Sequence, residues 1–230
     1  MIQNDILGVV CVYVYVAILL VVTEKVLVNH PETSRKVLHV MVGNIAFVLP
    51  VFMTREIMAF VAAGPFILFT FLMSPYTPIK SIKGKTSSAG HSMGLVYYSI
   101  TWTILAYLFF DTMVVIAIGI FAMSYGDGFA SLLGVRYGKH KYNVVGDEKS
   151  FVGTAAMFFF TFIMMLVAIV YYQMVVRYTF PFSIYSIGLL ASFAAVGAIV
   201  EGFTPKGLDN LTVPFVIAAC YWYTFINMGV

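Results

Sequence analysis

Long apolar runs separated by short polar stops dominate this chain of 230 residues. A helix needs about 20 predominantly apolar residues to cross the hydrocarbon core of a bilayer. Eight runs approach that length, and a membrane-spanning helix is predicted in each: 6–28, 36–53, 56–73, 92–110, 112–134, 151–176, 184–200 and 211–229. The sequence therefore predicts an all-α, polytopic integral membrane protein with about eight transmembrane helices.

The composition excludes an ordinary soluble domain. Hydrophobic residues make up 61% of the chain and charged residues 10%, whereas soluble domains are about 45–50% apolar and 25% charged. A chain this short cannot hide such a surplus in its own core, because its surface stays large relative to its volume. No low-complexity segment or repeat divides the sequence, so residues 1–230 are predicted to form a single transmembrane domain.

Positive charge is distributed unevenly between the predicted loops. Lys and Arg collect in cytoplasmic loops, and alternate loops here hold eleven of the 13: Lys25, Arg35, Lys36, Lys80, Lys83, Lys85, Arg136, Lys139, Lys141, Lys149 and Lys206. The opposite loops hold Arg55 and Arg177. Both termini are therefore predicted to lie outside, with the basic loops in the cytoplasm.

Acidic residues gather on the same predicted face, where the charge rule gives no reason for them. They are Glu24, Glu32, Asp127, Asp147, Glu148, Glu201 and Asp209. One explanation is pairing with the neighbouring cations. The other is a site that holds a metal ion and an anionic ligand. The residues alone leave both explanations open.

Asp127 is the strongest single candidate. Counted from Thr112 at about 1.5 Å per residue, it lies roughly 22 Å into a hydrocarbon core of about 30 Å. A carboxylate at that depth usually faces a wet cavity or a partner. Gly126 and Gly128 on either side allow a backbone or ligand to approach closely. This favours a functional acid over an Asp that caps a broken helix or pairs with a loop cation.

Two basic stretches follow Asp127. The first, residues 134–141, combines glycine with Arg136 and Lys139, a composition that suits phosphate oxygens. In the second, Ser150 is a predicted N-cap for the sixth span. Amide groups at that helix start, next to Lys149, are placed to bind phosphate. The alternative for all these cations is that they only set the orientation in the membrane.

Two further clusters lie at span ends. Glu201 ends the seventh span, and Asp209 with Asn210 opens the eighth, where they offer oxygen ligands of the kind Mg²⁺ takes together with phosphates. Capping of the eighth span by Asp209 is an equal alternative.

Near the second span, Arg35 and Lys36 precede His39 by one turn. An anchor pair that extends its charges to the membrane surface is an alternative to phosphate binding. His39, and His91 before the fourth span, are more typical of packed histidines than of ligands.

Taken in order, these segments resemble the CTP-dependent polyprenol kinases, a family that includes dolichol kinase, phytol kinase and the CTP-dependent diacylglycerol kinase. The likeness rests on residues 126–134, Gly138-Lys139 and residues 149–154, with elements at residues 35–39 and 201–210. The central pattern also resembles phosphatidate cytidylyltransferases. Those enzymes carry a further Gly-rich His-Gly-Gly element, which this sequence lacks after Asp209, and this favours a kinase.

The resemblance implies a single catalytic domain that transfers the γ-phosphate of CTP to an isoprenoid alcohol such as dolichol, phytol or geranylgeraniol. Its active site would face the cytoplasm from the cell membrane, or from an endomembrane in a eukaryote. The implied partners are a membrane lipid and a nucleotide, with no nucleic acid and no protein partner. The alternatives are a cytidylyltransferase that makes a CDP-activated lipid, and a small membrane transporter.

The resemblance also implies roles for individual residues. Asp127 and Lys149 would be catalytic, with Asp127 either a Mg²⁺ ligand or the base for the lipid hydroxyl. Asp209 and Asn210 would join Asp127 as metal ligands. Glu201, His39 and His91 would contact these ligands without binding the metal themselves. The residues that would hold or shape the nucleotide site are Arg35, Lys36, Gly134, Arg136, Lys139, Ser150 and Gly153.

Overall fold

A computed structural model describes residues 2–27, 29–77, 93–144, 147–205 and 207–229. Almost all of this part of the chain is helical, which confirms the predicted all-α class. The candidate His91 lies outside the described residues, as do four of the predicted cytoplasmic cations: Lys80, Lys83, Lys85 and Lys206.

Helical segments coincide with the predicted spans. Within the described ranges, five are long and apolar enough to cross a membrane: Ile2–Val21, Thr33–Val51, Phe110–Tyr137, Phe151–Val176 and Ile184–Phe203. Two shorter apolar helices, Ile57–Met73 and Gly94–Leu108, match two more of the predicted runs. A polytopic membrane protein is thereby confirmed, whereas the count of eight spans and the outside location of both termini stay predictions.

The contacts between residues divide the chain into two compact units. The first contains Met1–Asp111 and Lys206–Leu211, and the second contains Thr112–Pro205 and Thr212–Val230. The single catalytic domain stays a prediction.

The first unit is built from α-helices joined by tighter and wider helical turns. Pro31 and Pro65 each stand at the first position of a helix, where the missing N–H has no partner to lose. In chain order its described elements are α1 (Ile2–Val21), a π-helical turn (Val22–Val26), α2 (Pro31–Val42), two 3₁₀ turns (Gly43–Phe47 and Leu49–Val51), a π-helical segment (Ile57–Ala63), α3 (Pro65–Met73) and α4 (Gly94–Leu108).

One face of α1 is apolar and exposed, which indicates contact with lipid. Ile2, Leu7 and Ile18 are each more than half exposed, whereas Val12 and Leu19 are buried against the rest of the unit. A continuous apolar face of this kind is rare on proteins surrounded by water. The pattern therefore agrees with a helix that has lipid on one side and protein on the other.

Asp5 fixes the start of α1 to the chain that follows the second 3₁₀ turn. Its side chain is buried. Oδ1 accepts hydrogen bonds from the backbone N–H groups of Met53 (2.7 Å) and Thr54 (3.0 Å), and Oδ2 accepts one from Thr54 Oγ1 (2.7 Å). Three donors surround one carboxylate, so a charge that would otherwise be costly in this position is solvated by the protein.

The second unit is organised around a helix that is apolar on every side. In chain order its elements are α5 (Met113–Phe121), a π-helical segment (Ala122–Asp127), α6 (Gly128–Tyr137), β1 (Lys141–Val144), β2 (Asp147–Ser150), α7 (Phe151–Val176), α8 (Ile184–Phe203), α9 (Asp209–Tyr221, whose first turn belongs to the first unit) and a π-helical end (Trp222–Asn227). Every residue of α5 from Val114 to Phe121 is buried, as expected for a helix without a polar face.

A short β-hairpin connects α6 to α7. Strands β1 and β2 pair antiparallel, with Lys141 opposite Ser150 and Tyr142 opposite Lys149. These residues belong to one of the predicted cytoplasmic loops, and strands of four residues are too short to show a clear alternating pattern in the sequence. The hairpin matters for the site because it gives Lys149 and Ser150 a fixed position at the start of α7.

We expect the Asp5→Ala variant to unfold more easily than the parent protein. It leaves two backbone N–H groups and one hydroxyl without their acceptor, and hydrogen bonds to a charged group contribute about 1.5–3 kcal/mol each. The matched control is Asp111→Ala, which removes an exposed acid that is ion-paired with Arg55 and should cost about 0–1 kcal/mol. Unfolding in detergent measures both. Equal losses would show that the Asp5 contacts do not stabilise the protein.

Candidate functional site

Asp127 ends a π-helical segment that joins α5 to α6. The sequence predicted an interruption at Gly126-Asp127-Gly128, and the structure shows a widened helix that continues into α6. Gly126 permits this because α7 packs directly on it: a Cβ there would collide with Thr161 Oγ1 and come within 2.8 Å of Met157 Sδ. Wide turns of this kind are frequent at functional sites, and this one carries the predicted functional acid.

A second carboxylate lies next to Asp127. Glu201, near the end of α8, is buried, and a carboxylate oxygen of each residue lies within 4.8 Å of the other. Two negative charges this close repel each other, and the repulsion grows in an apolar environment. The pair therefore requires a cation beside it.

Lys149 supplies one positive charge. Its ammonium group donates a hydrogen bond to Glu201 Oε1 in an ion pair whose side chains are 18% and 5% exposed. Together with Asp127 the three side chains carry a formal charge of one negative unit, so the cluster remains attractive to a further cation.

The geometry of the two carboxylates fits a shared Mg²⁺ ion. Mg²⁺ binds oxygen ligands at about 2.0–2.1 Å, so two ligands of one ion lie at most about 4 Å apart, and the two carboxylate oxygens here lie within 4.8 Å of each other. The family resemblance implied that Glu201 supports the metal ligands without being one of them. In the structure its carboxylate lies next to that of Asp127, where it could itself bind the ion. No signal in the sequence could have shown this, because the two residues are 74 positions apart in the chain.

Tyr142 positions the hairpin that carries Lys149, and the sequence analysis missed it. Its hydroxyl shares a hydrogen bond of 2.7 Å with Thr154 Oγ1 on α7. The same hydroxyl lies against α8, since a Cβ on Gly202 would approach it to 2.9 Å. Tyr142 is the cross-strand partner of Lys149, so these contacts fix Lys149 beside Glu201.

Ser150 caps α7 as predicted: its Oγ accepts a hydrogen bond of 3.1 Å from the backbone N–H of Gly153. Two glycines allow α6 to approach this cap. A Cβ on Gly134 would come within 2.8 Å of Ser150 Oγ, and one on Gly153 within 3.0 Å of the Ala130 carbonyl oxygen. The structure therefore brings together three residues of the predicted nucleotide site.

The start of α7 has fewer amides available for phosphate than the sequence predicted. The Phe151 N–H already donates to the His140 carbonyl (3.3 Å), and the Gly153 N–H donates to the Ser150 side chain. Arg136 lies over the ring of Tyr137 at 5.4 Å, and both Arg136 and Lys139 are exposed. Their role toward nucleotide stays a prediction.

The candidates near the second predicted span lie on α2 of the first unit. Arg35 and Lys36 are half-buried, and within the described ranges the buried Arg35 Nε has no hydrogen-bond partner. The ring of His39 packs edge to face on Tyr98 at 5.0 Å, and the Tyr98 hydroxyl donates to the His39 carbonyl (3.2 Å). His39 is therefore a packed residue, and its support of a metal ligand stays a prediction.

Asp209 and Asn210 are buried in the first unit, where Asp209 opens α9 as predicted. Asp209 Oδ1 accepts from the Asn210 N–H (3.0 Å), and Thr101 Oγ1 donates to the Asn210 carbonyl (2.6 Å). Asn210 Nδ2 donates to the Gly207 carbonyl (3.2 Å). Among the residues described, nothing bonds Asn210 Oδ1, which leaves a buried oxygen with acceptor capacity.

Known proteins resemble this chain over most of its length. Phytol kinase of Synechocystis sp. is 33% identical over 195 residues, which cover 83% of this chain and 78% of that protein. This chain belongs to the phytol kinase family. Probable chloroplastic phytol kinases of Triticum aestivum and of Oryza sativa subsp. japonica are 29% and 26% identical, over 89% and 84% of this chain and 71% and 64% of their own lengths.

Membership in the phytol kinase family confirms the resemblance found in the sequence motifs. No family model matches the chain, and no solved structure matches it. The residue roles at the site therefore rest on the geometry of this structure.

We expect Lys149→Met to destabilise this phytol kinase family member strongly. Removal of one partner from a buried ion pair leaves an uncompensated charge and typically costs about 3–5 kcal/mol. Lys141→Met is the matched control on the same hairpin, because Lys141 pairs with Glu148 (2.9 Å) in an exposed ion pair whose loss should cost about 0–1 kcal/mol. Unfolding of both variants in detergent gives the comparison. A loss for Lys149→Met no larger than for Lys141→Met would contradict the buried pair.

Proposed function

We propose that this protein is a lipid kinase that transfers the γ-phosphoryl group of CTP to the hydroxyl of an isoprenoid alcohol of the phytol class. The observation that carries the proposal is the cluster of Asp127, Glu201 and Lys149, two carboxylates and one ammonium within an apolar unit. The relatives named phytol kinase support the choice of the alcohol.

The chemistry of phosphoryl transfer suits this cluster. The reaction needs positioning and charge neutralisation far more than covalent help from the protein. Asp127 and Glu201 would hold Mg²⁺, which when bound neutralises charge on the phosphate oxygens. The Lys149 ammonium, placed by Glu201 and the hairpin, would bind a phosphate oxygen. Asp127 remains available for the alternative role of accepting the hydroxyl proton of the alcohol.

Several other predicted residues complete the proposal. Ser150, Gly134 and Gly153 would shape the phosphate-binding turn, because they bring α6 against the start of α7. Asp209 and Asn210 are proposed as oxygen ligands of Mg²⁺, supported by the buried, unbonded Oδ1 of Asn210 in the described part of the chain. Cations proposed to bind the nucleotide are Arg35, Lys36, Arg136 and Lys139.

The donor and the orientation rest on sequence features. CTP as donor is supported by the resemblance to CTP-dependent polyprenol kinases. A cytoplasmic active site is supported by the position of eleven of the 13 Lys and Arg residues in alternate loops, and the nucleotide is a cytoplasmic molecule.

Labelled CTP tests the reaction directly. The purified protein in lipid nanodiscs with Mg²⁺ and phytol should transfer label from γ-labelled CTP to the lipid and none from α-labelled CTP. Label from α-labelled CTP in the lipid would instead identify a cytidylyltransferase. No label in lipid from either form, or from γ-labelled ATP, would exclude both enzymes and favour a transporter.

Asp127→Asn should separate catalysis from folding. It keeps the shape but loses the charge, and a positioned acid–base group contributes typically about 10²–10⁴-fold, so phosphoryl transfer should fall by at least about 10²-fold. Stability should not fall, because one of two repelling carboxylates is neutralised. Melting and transfer are measured on the same sample.

Asp111→Asn is the control for Asp127→Asn, because Asp111 is an exposed acid of the same chain and should leave transfer unchanged. A destabilised Asp127→Asn protein with near-normal turnover would contradict the catalytic assignment.

A further inference from the structure

Pro214 lies inside helix α9 and removes one of the hydrogen bonds that would hold the first turn of that helix. In an α-helix the carbonyl of each residue accepts the N–H of the residue four positions later. Four positions after Asn210 is Pro214, and a proline has no N–H to donate and crowds the carbonyl four residues before it. Asn210 is 7% exposed, so its carbonyl oxygen needs another donor.

Thr101 on α4 supplies that donor. Its side chain is buried, and its Oγ1 donates a hydrogen bond of 2.6 Å to the Asn210 carbonyl. Two neighbouring hydroxyl groups of α4 behave differently, because Ser99 Oγ and Thr103 Oγ1 each donate to the carbonyl four residues earlier in their own helix (3.1 and 3.0 Å). Thr101 therefore takes the place of the N–H group that Pro214 lacks.

The side-chain amide of Asn210 is held in one orientation. Its Nδ2 donates to the Gly207 carbonyl (3.2 Å), and a Cβ on Gly94 would lie 3.2 Å from the same nitrogen, so the start of α4 packs against it. Oδ1 is the other end of this amide, and among the described residues it is buried without a hydrogen-bond partner. A buried acceptor in this state is unfavourable, and amide oxygens are suitable ligands for hard divalent cations.

We propose that Thr101 is a positioning residue for a divalent cation: its hydrogen bond fixes the first turn of α9, so that Asn210 presents Oδ1 to the ion. The proposal rests on the proposed function, in which Asp209 and Asn210 are ligands of Mg²⁺. Thr101 acts through Asn210 and does not contact the ion. Partners that orient a metal ligand typically change metal affinity by about 10–100-fold, so the effect of Thr101 is measurable as binding.

Mn²⁺ binding tests the role of Thr101 in the absence of nucleotide and substrate alcohol. Mn²⁺ takes the same kinds of oxygen ligand as Mg²⁺, and loss of the free Mn²⁺ signal in electron paramagnetic resonance measures its affinity for the protein in phosphatidylcholine nanodiscs. Thr101→Val keeps the branched shape but removes the donor, and should weaken Mn²⁺ binding by about 10–100-fold. Thr101→Ser keeps the donor and should bind Mn²⁺ nearly as tightly as the parent protein.

Pro214→Ala gives a second, independent test, because it returns the missing N–H to α9. In the double variant Thr101→Val/Pro214→Ala, the restored N–H can bond the Asn210 carbonyl without help from α4. Mn²⁺ affinity should therefore recover to that of Pro214→Ala alone, a non-additive result that two independent residues would not give.

Thr103→Val is the matched control, since it removes a buried hydroxyl of the same helix whose hydrogen bond stays within α4, and it should leave Mn²⁺ binding unchanged. If Thr101→Val does not fold, Thr101→Ala, which also lacks the donor, is measured in its place. A lower melting temperature with the Mn²⁺ affinity of the parent would show that Thr101 is only structural and would overturn the proposal. No Mn²⁺ binding by the parent, an equal loss in Thr101→Ser, or no recovery in the double variant would also overturn it.

Two further outcomes separate the positioning role of Thr101 from the proposed function. If Mn²⁺ binding depends on Thr101 as expected while no label is transferred from γ-labelled CTP to the lipid, the positioning role holds and the kinase proposal fails. If label is transferred and Thr101→Val binds Mn²⁺ as tightly as the parent, the kinase proposal holds and the positioning role is overturned.

Discussion

The ion pair between Lys149 and Glu201 is the interaction on which the candidate site depends. Without it, the second unit would hold two neighbouring carboxylates among apolar helices, and such an arrangement is costly. One lysine leaves the cluster with a net negative charge, which keeps it attractive to a divalent cation. The same ammonium is a suitable partner for phosphate. The ion pair with Glu201 therefore both offsets the repulsion between the two carboxylates and positions Lys149 for the proposed phosphate contact.

The position of Lys149 depends on the hairpin, and the position of the hairpin depends on close packing. Tyr142 attaches β1 to α7 through Thr154 and to α8 at Gly202, and Ser150 ends β2 by capping α7. Since Tyr142 and Lys149 are opposite each other, a larger side chain at Gly202 would move the lysine away from Glu201. The lack of a side chain at Gly202 therefore helps to set the position of the Lys149 ammonium group.

Sequence reasoning succeeded where the physics is local. Apolar runs of bilayer length predicted the helices, and Ser150 before an apolar run predicted a cap. Asp127 was singled out because an acid inside such a run is expensive, and its functional role stays a prediction. The proximity of Glu201 to Asp127, the hairpin and the contacts of Asp5 with Met53 and Thr54 depend on which distant segments meet, and no alternation or spacing in the sequence encodes that.

Helix α4 fixes the buried polar segment of the first unit in place. Leu95, Tyr98 and Trp102 on one of its faces line an apolar cavity, whereas Thr101 on another face donates a hydrogen bond of 2.6 Å to the Asn210 carbonyl. The segment with Asp209 and Asn210 is therefore attached to a helix of the same unit before any ion binds, and ligands that are ordered in advance lose less conformational freedom on binding.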